Sequence, residues 1–94
     1  MIYVLVRHQV QDYPHWKKVF DEAEEWRRDH GEKRFEIFQR EHENTDLTLL
    51  FGWDEIGIAR DFFASTELRR RMEEAGVVGE PEVTFLQLVD RGEA

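Results

Sequence analysis

The sequence predicts an α+β fold built in the order strand, helix, strand, strand, helix, strand. Three observations carry this reading. Residues 47–53, Leu-Thr-Leu-Leu-Phe-Gly-Trp, form the most apolar continuous run in the chain. Bulky on both alternating faces, they read as a strand buried on two sides. Ile2, Val4, Val6, His8 and Val10 alternate with Tyr3, Leu5, Arg7 and Gln9, which is the period of a strand. Trp16, Val19, Phe20, Ala23 and then Trp26 or Arg27 recur at spacings of three and four, which is the period of a helix.

Taken in order, the first strand covers residues 2–10, apolar on both faces for its first half. Asp12 and Pro14 then mark a helix start, a carboxylate near the N-terminus and a proline in the first turn. That helix is expected to run to about Asp29 and to stop at His30 and Gly31. Lys18 with Glu22, and Glu24 with Arg28, are spaced to pair on its outer face. Residues 33–42 read as a second strand. Phe35 and Ile37 lie on one face, with Glu36, Phe38, Arg40 and His42 on the other. Its charge suits a sheet edge, where charge discourages unwanted pairing. A polar turn at residues 43–46 is expected to make a hairpin with the strand at 47–53. Asp54 is positioned to cap a short helix carrying Ile56, Ala59, Phe62 and Phe63, and Ser65 to cap its continuation through Leu68, Met72 and Ala75 to Gly76. Gly79 and Pro81 read as a loop. Residues 83–89 read as the last strand, and the polar tail from Asp90 as frayed.

With right-handed crossovers this order folds into a ferredoxin-like βαββαβ unit, a four-stranded antiparallel sheet with both helices on one face. Its 94 residues make one domain with a small core. Val4, Val6, Phe38, Phe51, Trp53 and one set from the last strand cannot all meet the helices. An apolar sheet face of that size marks an interface. Two sheets packed face to face, a homodimer closing an α/β barrel, would cover it.

The totals also exclude. A net charge of −8 argues against binding nucleic acid or an anionic membrane surface. The absence of cysteine removes disulfides, thiolate metal sites and cysteine nucleophiles. The four histidines show no metal-ligand spacing, and there is no Gly-rich phosphate loop or Gly-x-Ser-x-Gly elbow. The apolar start of six residues is too short for a signal peptide or a membrane span, so the expected compartment is the cytoplasm. The arginines at 69–71 alternate with acids at helical spacing (Glu67 with Arg71, Arg69 with Glu73, Arg70 with Glu74) and read as a solvated, ion-paired face.

Several stretches together resemble the dimeric α/β-barrel superfamily, the fold of the antibiotic-biosynthesis monooxygenases. They are Val-Gln-Asp-Tyr-Pro-His-Trp-Lys at 10–17 and Phe-Gly-Trp-Asp at 51–54, the Ala59, Phe62, Phe63 helix face, and Ser-Thr-Glu-Leu at 65–68 before Met72. The resemblance spans roughly residues 2–90 and is specific to the fold rather than to a reaction. It implies two sheets closing a barrel across a dimer, with a pocket in the lumen or between sheet and helices. The chemistries it implies are diverse: quinone-forming oxygenation without a cofactor, haem degradation, cyclisation, isomerisation and small-molecule sensing. The haem-degrading branch uses an Asn, a Trp and a His. Trp53 matches the Trp, whereas Val6 and Phe63 stand at the other two positions.

The candidate site follows from both readings. His8, on the face of Val4 and Val6, is the candidate catalytic residue, a general base toward an acidic phenol or enol. The bland alternative is a satisfied structural histidine. Trp53 offers a stacking platform or a core anchor. Arg7, on the opposite face, would hold a substrate carboxylate or pair with an acid. Tyr13 at the pocket mouth, and Phe38 and Phe51 on the strands, complete the expected substrate-binding set. Arg40 and His42 share the face of Phe38 and suit a solvated edge, and His15 and His30 suit the surface. The expectation is a homodimer that takes a small planar or aromatic metabolite beside an apolar lumen and needs no bound cofactor or metal. Its chemistry would be of the monooxygenase or cyclase kind. The alternative is a non-catalytic ligand-binding or assembly module on the same scaffold.

Overall fold

In a computed structural model covering residues 1–94, the chain runs β1 (Ile2–Val10), α1 (Tyr13–Glu22), α2 (Glu24–Asp29), β2 (Glu32–Arg40), β3 (Glu43–Trp53), α3 (Ile56–Phe63), α4 (Thr66–Glu74) and β4 (Val77–Gln87). The strands form one antiparallel sheet in the order β2-β3-β1-β4, with the helices on one face. This is the ferredoxin-like arrangement, with each of the two expected helices divided in two. The charged β2 is an edge strand, as its composition predicts.

The two central strands hold the core because their alternate residues meet the helices. Val4 stands opposite Phe51, Val6 opposite Leu49 and His8 opposite Leu47. Val4, Val6 and Leu47 have no solvent exposure at all. From α1, Trp16 and Phe20 are buried against them, and from α3, Ala59 and Phe62. The helix starts follow the predicted chemistry at two places. Asp12 Oδ2 accepts from the His15 N–H at 2.9 Å, and Ser65 Oγ accepts from the Leu68 N–H at 3.2 Å. At the third start the expected cap is corrected. Glu55, with no side-chain bond, is the cap of α3, and Asp54 instead lies 3.9 Å from Lys33 Nζ.

Four boundaries differ from the pattern reading. The first helix breaks at Ala23, whose N–H is shared among the Val19, Phe20 and Asp21 carbonyls, a local tightening of the turn. The hairpin turn lies at Glu41 and His42, not at 43–46. His42 adopts the left-handed conformation at φ 64°, and Arg40 pairs with Glu43. Gln39 then pairs with Leu47, so Asn44, Thr45 and Asp46 bulge out of the β2 ladder while Asp46 pairs with Gln9 on β1. The polar stretch is real, but it forms a bulge within a strand. The last strand begins at Val77 rather than 83, with Gly79 and Pro81 inside it. An edge strand tolerates them because its outer N–H groups need no partner. On the helix surface, Lys17 with Asp21 replaces the expected Lys18–Glu22 and Glu24–Arg28 pairs. On α4, Arg71–Glu67 and Arg70–Glu74 form as spaced, and Arg70 also pairs with Glu67 instead of an Arg69–Glu73 pair forming. No helix is long and apolar enough to cross a membrane.

Candidate functional site

The first correction to the site concerns facing. His8, Phe51 and Trp53 lie on the side of the sheet that meets the helices, not on the side that would line a lumen between two sheets. The apolar stripe of α1 decides this. Trp16 lies over β1 with its indole and the His8 ring in a T-shaped contact, at 5.8 Å between centroids. Trp16 stacks in turn on Phe20 at 4.9 Å.

His8 is 7% exposed, and neither ring nitrogen has a hydrogen-bond partner. Its surroundings explain the rest. On β4, Gly79, Glu80 and Pro81 stand where a single residue would oppose it, between the Arg7–Glu82 and Gln9–Val78 pairs, so β4 offers it no partner. Burial without a polar neighbour lowers its pKa from 6.5 to about 4. The imidazole is therefore neutral at physiological pH, with one donor and one acceptor unused. Leaving such groups unpaired costs on the order of 1–3 kcal/mol each.

The sequence reading left open whether Trp26 or Arg27 completes the helical stripe. The structure selects Arg27, which is 4% exposed against a half-buried Trp26. Arg27 Nε donates to Glu32 Oε1 at 2.8 Å, and Nη1 donates to the Phe20 carbonyl. The guanidinium carbon sits 3.6 Å from the Phe20 ring centroid. Nη2 has no partner. Burial raises the Glu32 carboxyl above its ordinary range, an effect that the Arg27 charge opposes. Sequence patterning gives little warning of this pair, because two opposite charges five residues apart across a glycine turn look like an ordinary surface couple. The only signal is that Arg27 occupies an apolar position of the stripe.

A cavity of about 60 Å³ lies between sheet and helices, almost entirely apolar in its lining. Val6, His8, Leu49 and Phe51 form its floor, and Trp16, Phe20, Trp26 and Arg27 one wall. Leu68, Arg71 and Met72 of α4 close it, together with Phe62 and Phe63. A second hollow of about 190 Å³ lies between α4 and the β4 bulge. The two share Phe63, Leu68 and Met72, which therefore form the partition between them. The cavity is well short of the roughly 300 Å³ at which small-molecule pockets begin. Its roof is the part of the helix layer least held down, because α4 has no fully buried residue. The clasp on that roof is Arg71, whose guanidinium lies 4.2 Å from the Trp26 ring centroid.

The other expected site residues fall elsewhere. Trp53 is 1% exposed and lines no part of this cavity. Its indole N–H donates to the His30 carbonyl at 3.0 Å, and it packs on Phe51, Phe62 and Phe63 as a core anchor. Gly31, at φ 108°, makes room for it, since a Cβ there would come within 2.5 Å of the indole nitrogen. Tyr13 stands beside Trp16 at 5.9 Å, outside the cavity lining. Arg7 faces the open side of the sheet, where it and Arg40 flank the buried Asp46 at 3.8 and 3.7 Å. Phe38, on that same side, is 51% exposed. Of the six residues picked from the sequence, the structure brings His8 and Phe51 together at one cavity. Val6 and Phe63, at the positions of the haem branch's Asn and His, line it as plain apolar wall.

The fold matches solved structures over nearly its whole length. The antibiotic biosynthesis monooxygenase structure aligns with a TM-score of 0.72 at 13% identity, over 96% of this chain and 100% of that one. SnoaB, a cofactor-independent oxygenase from Streptomyces nogalater, aligns with a TM-score of 0.78 at 12% identity, over 96% and 94%. A conserved protein from Methanosarcina mazei Go1 aligns with a TM-score of 0.71 at 16% identity, over 92% and 90%. At these identities the likeness is one of fold. No protein-family model matches the chain, and no curated protein does.

Proposed function

We propose that the protein binds a small planar aromatic metabolite in the cleft between sheet and helices, with His8 as the base at its floor. One observation carries the reading: a buried neutral imidazole, both nitrogens unpartnered, lines a cavity whose only other polar residues are Arg27 and Arg71. Evolution rarely leaves such a group unpaired in a core without a use for it. Phe51 provides the aromatic floor, and Trp53 stiffens that floor from behind. Tyr13 supports the Trp16 wall. Room for a ligand is made when the Leu68–Met72 side of α4 moves outward, which joins the cavity to the neighbouring hollow. Met72, unbranched and flexible, suits that movement.

The chemistry that suits this site is proton abstraction. His8 takes a proton from an acidic O–H or C–H and leaves an electron-rich enolate against the aromatic wall. A substrate with an activated methylene could then supply all four electrons for dioxygen, CH2 and O2 giving C=O and water, with no further reductant. The likeness to SnoaB, described as a cofactor-independent oxygenase, supports this direction at the level of fold. The place of the chemistry is the cytoplasm.

The second reading, a binding or assembly module without turnover, is favoured by a different observation. No carboxylate orients His8, so no catalytic dyad or triad exists around it. Oxygen uptake with polycyclic phenols carrying an activated methylene separates the two. The enzyme reading expects turnover that His8→Ala reduces by about 100-fold or more. Turnover unchanged in that variant ends the base assignment, and ligand binding without turnover selects the second reading.

In either reading the protein is a homodimer through its open sheet face. Tyr3, Leu5 and Leu50 are only partly buried there, and Phe38 and Leu86 are exposed. Arg7 and Phe38 would then act at the dimer seam.

A further inference from the structure

We infer that Arg27 is a ligand-anchoring residue, and that the compound taken by the cleft carries an anionic oxygen, a carboxylate or an acidic phenolate. The inference rests on the small-molecule reading above and names the ligand's charge, which that reading leaves open. Two buried polar groups at this cavity lack partners. They are the His8 ring and Nη2 of Arg27. A continuous aromatic wall joins them: His8 to Trp16 at 5.8 Å, Trp16 to Phe20 at 4.9 Å, and Phe20 to the Arg27 guanidinium at 3.6 Å. A planar ligand set against the edges of the Trp16 and Phe20 rings therefore has a neutral imidazole toward one end and a cation toward the other.

The guanidinium is already oriented for this. Nε and Nη1 are held by Glu32 and by the Phe20 carbonyl, so Nη2 keeps its donors in one place while the ion pair with Glu32 keeps the charge. Glu32 pairs with Arg27 and Glu67 pairs with Arg71, so what the cavity offers an anion is the unused N–H donors of Nη2 on a charged guanidinium rather than an uncompensated positive field. Those donors favour an anionic oxygen in a chain that is otherwise strongly acidic, with a net charge of −8. The acidity of the surface makes an internal cation the means by which an anionic ligand is recognised at all.

The test uses two probes of one shape, 2-naphthoate and neutral 2-naphthamide, titrated by calorimetry against the full chain. The expected result is that the wild type binds naphthoate at least tenfold tighter. Arg27→Met combined with Glu32→Gln, which leaves no charge unpaired in the core, is expected to bind the two probes equally. Arg27→Lys, which keeps the charge but loses the fork, should fall between, and circular dichroism confirms that each variant is folded. Equal binding of the two probes by the wild type overturns the anchor and leaves the pocket standing. A preference that survives in the double variant also overturns it and points to Arg71. If neither probe binds, the pocket reading fails and the anchor with it.

Discussion

The two faces of the sheet are made by the same four strands and differ by one residue of register, yet they do opposite things. On the helix face, Val4, Val6, Leu47, Leu49 and Trp53 are at most 3% exposed. That face is full, and its one irregularity is polar: a histidine and an arginine with unused nitrogens around a small cavity. The open face carries Phe38 at 51% and Leu86 at 39% exposure, beside a buried Asp46 flanked by two arginines. Its apolar surface lacks a cover, whereas its one buried charge, Asp46, is paired. The contrast separates two kinds of departure from a well-packed fold. Uncovered apolar surface points outward to another protein surface. An unsatisfied polar group points inward to a ligand.

The strongest way to break this contrast is to truncate one large aromatic on each face. Trp53→Ala removes the helix-face anchor and is expected to cost about 3–5 kcal/mol in urea unfolding. Phe38→Ala, on the open face, should change the stability of the dissociated chain by less than about 1 kcal/mol. Similar losses at both positions would mean that the open face is already packed in the single chain.

Next in size is the pH dependence set by His8. Its folded pKa, about 4, lies below its ordinary 6.5, so the unfolded chain binds the proton first. Its contribution is complete above pH 6.5, is lost as the pH falls from there to about 4, and does not change further below that. The span is worth about 3 kcal/mol. Thermal unfolding of His8→Leu against the wild type between pH 7 and 4 isolates this term. The variant should lose less stability over that interval and, being relieved of two unpaired nitrogens, should be the more stable protein at pH 5. Parallel pH curves for the two proteins would show that the ring is solvated or partnered in solution.

The smallest of the three effects sharpens the other face. Leu50→Lys places a charge in the middle of the open side, where Leu50 is half-buried. It should weaken self-association by about 2 kcal/mol, close to 30-fold in Kd, while leaving the unfolding of the monomer nearly unchanged. Sedimentation equilibrium measures both proteins. A wild type that is monomeric at micromolar concentration would remove the homodimer from the proposal.

Much of this was legible in the residues. The alternation of Ile2 through Val10 and the apolar run at 47–53 marked the two central strands, and the charge of β2 marked it as an edge. The stripe from Trp16 to Arg27 marked the helix that covers them. His8 could be placed on the face of Val4 and Val6 from alternation alone. What could not be read is equally specific. Local pattern did not reveal that Asn44, Thr45 and Asp46 bulge, since a polar run looks the same in a turn and in a bulge. Nor did it reveal that Gly79 and Pro81 sit inside an edge strand. Trp53 as stacking platform or core anchor was a choice that depended on Gly31, twenty-two residues away, opening space for the indole and on His30 offering its carbonyl.

By itself the sequence determined the element order, the fold, the two-sided apolar character of the sheet and the acidic surface. These are properties of period and composition, which each segment carries independently of the others. Only the tertiary structure decided which sheet face the helices cover, and hence that His8 faces a helix-side cavity. It alone brought Arg27 to the same cavity and left its Nη2 free. Facing and pairing are set by which surfaces exclude water together, and that is a property of packed elements, not of any one of them.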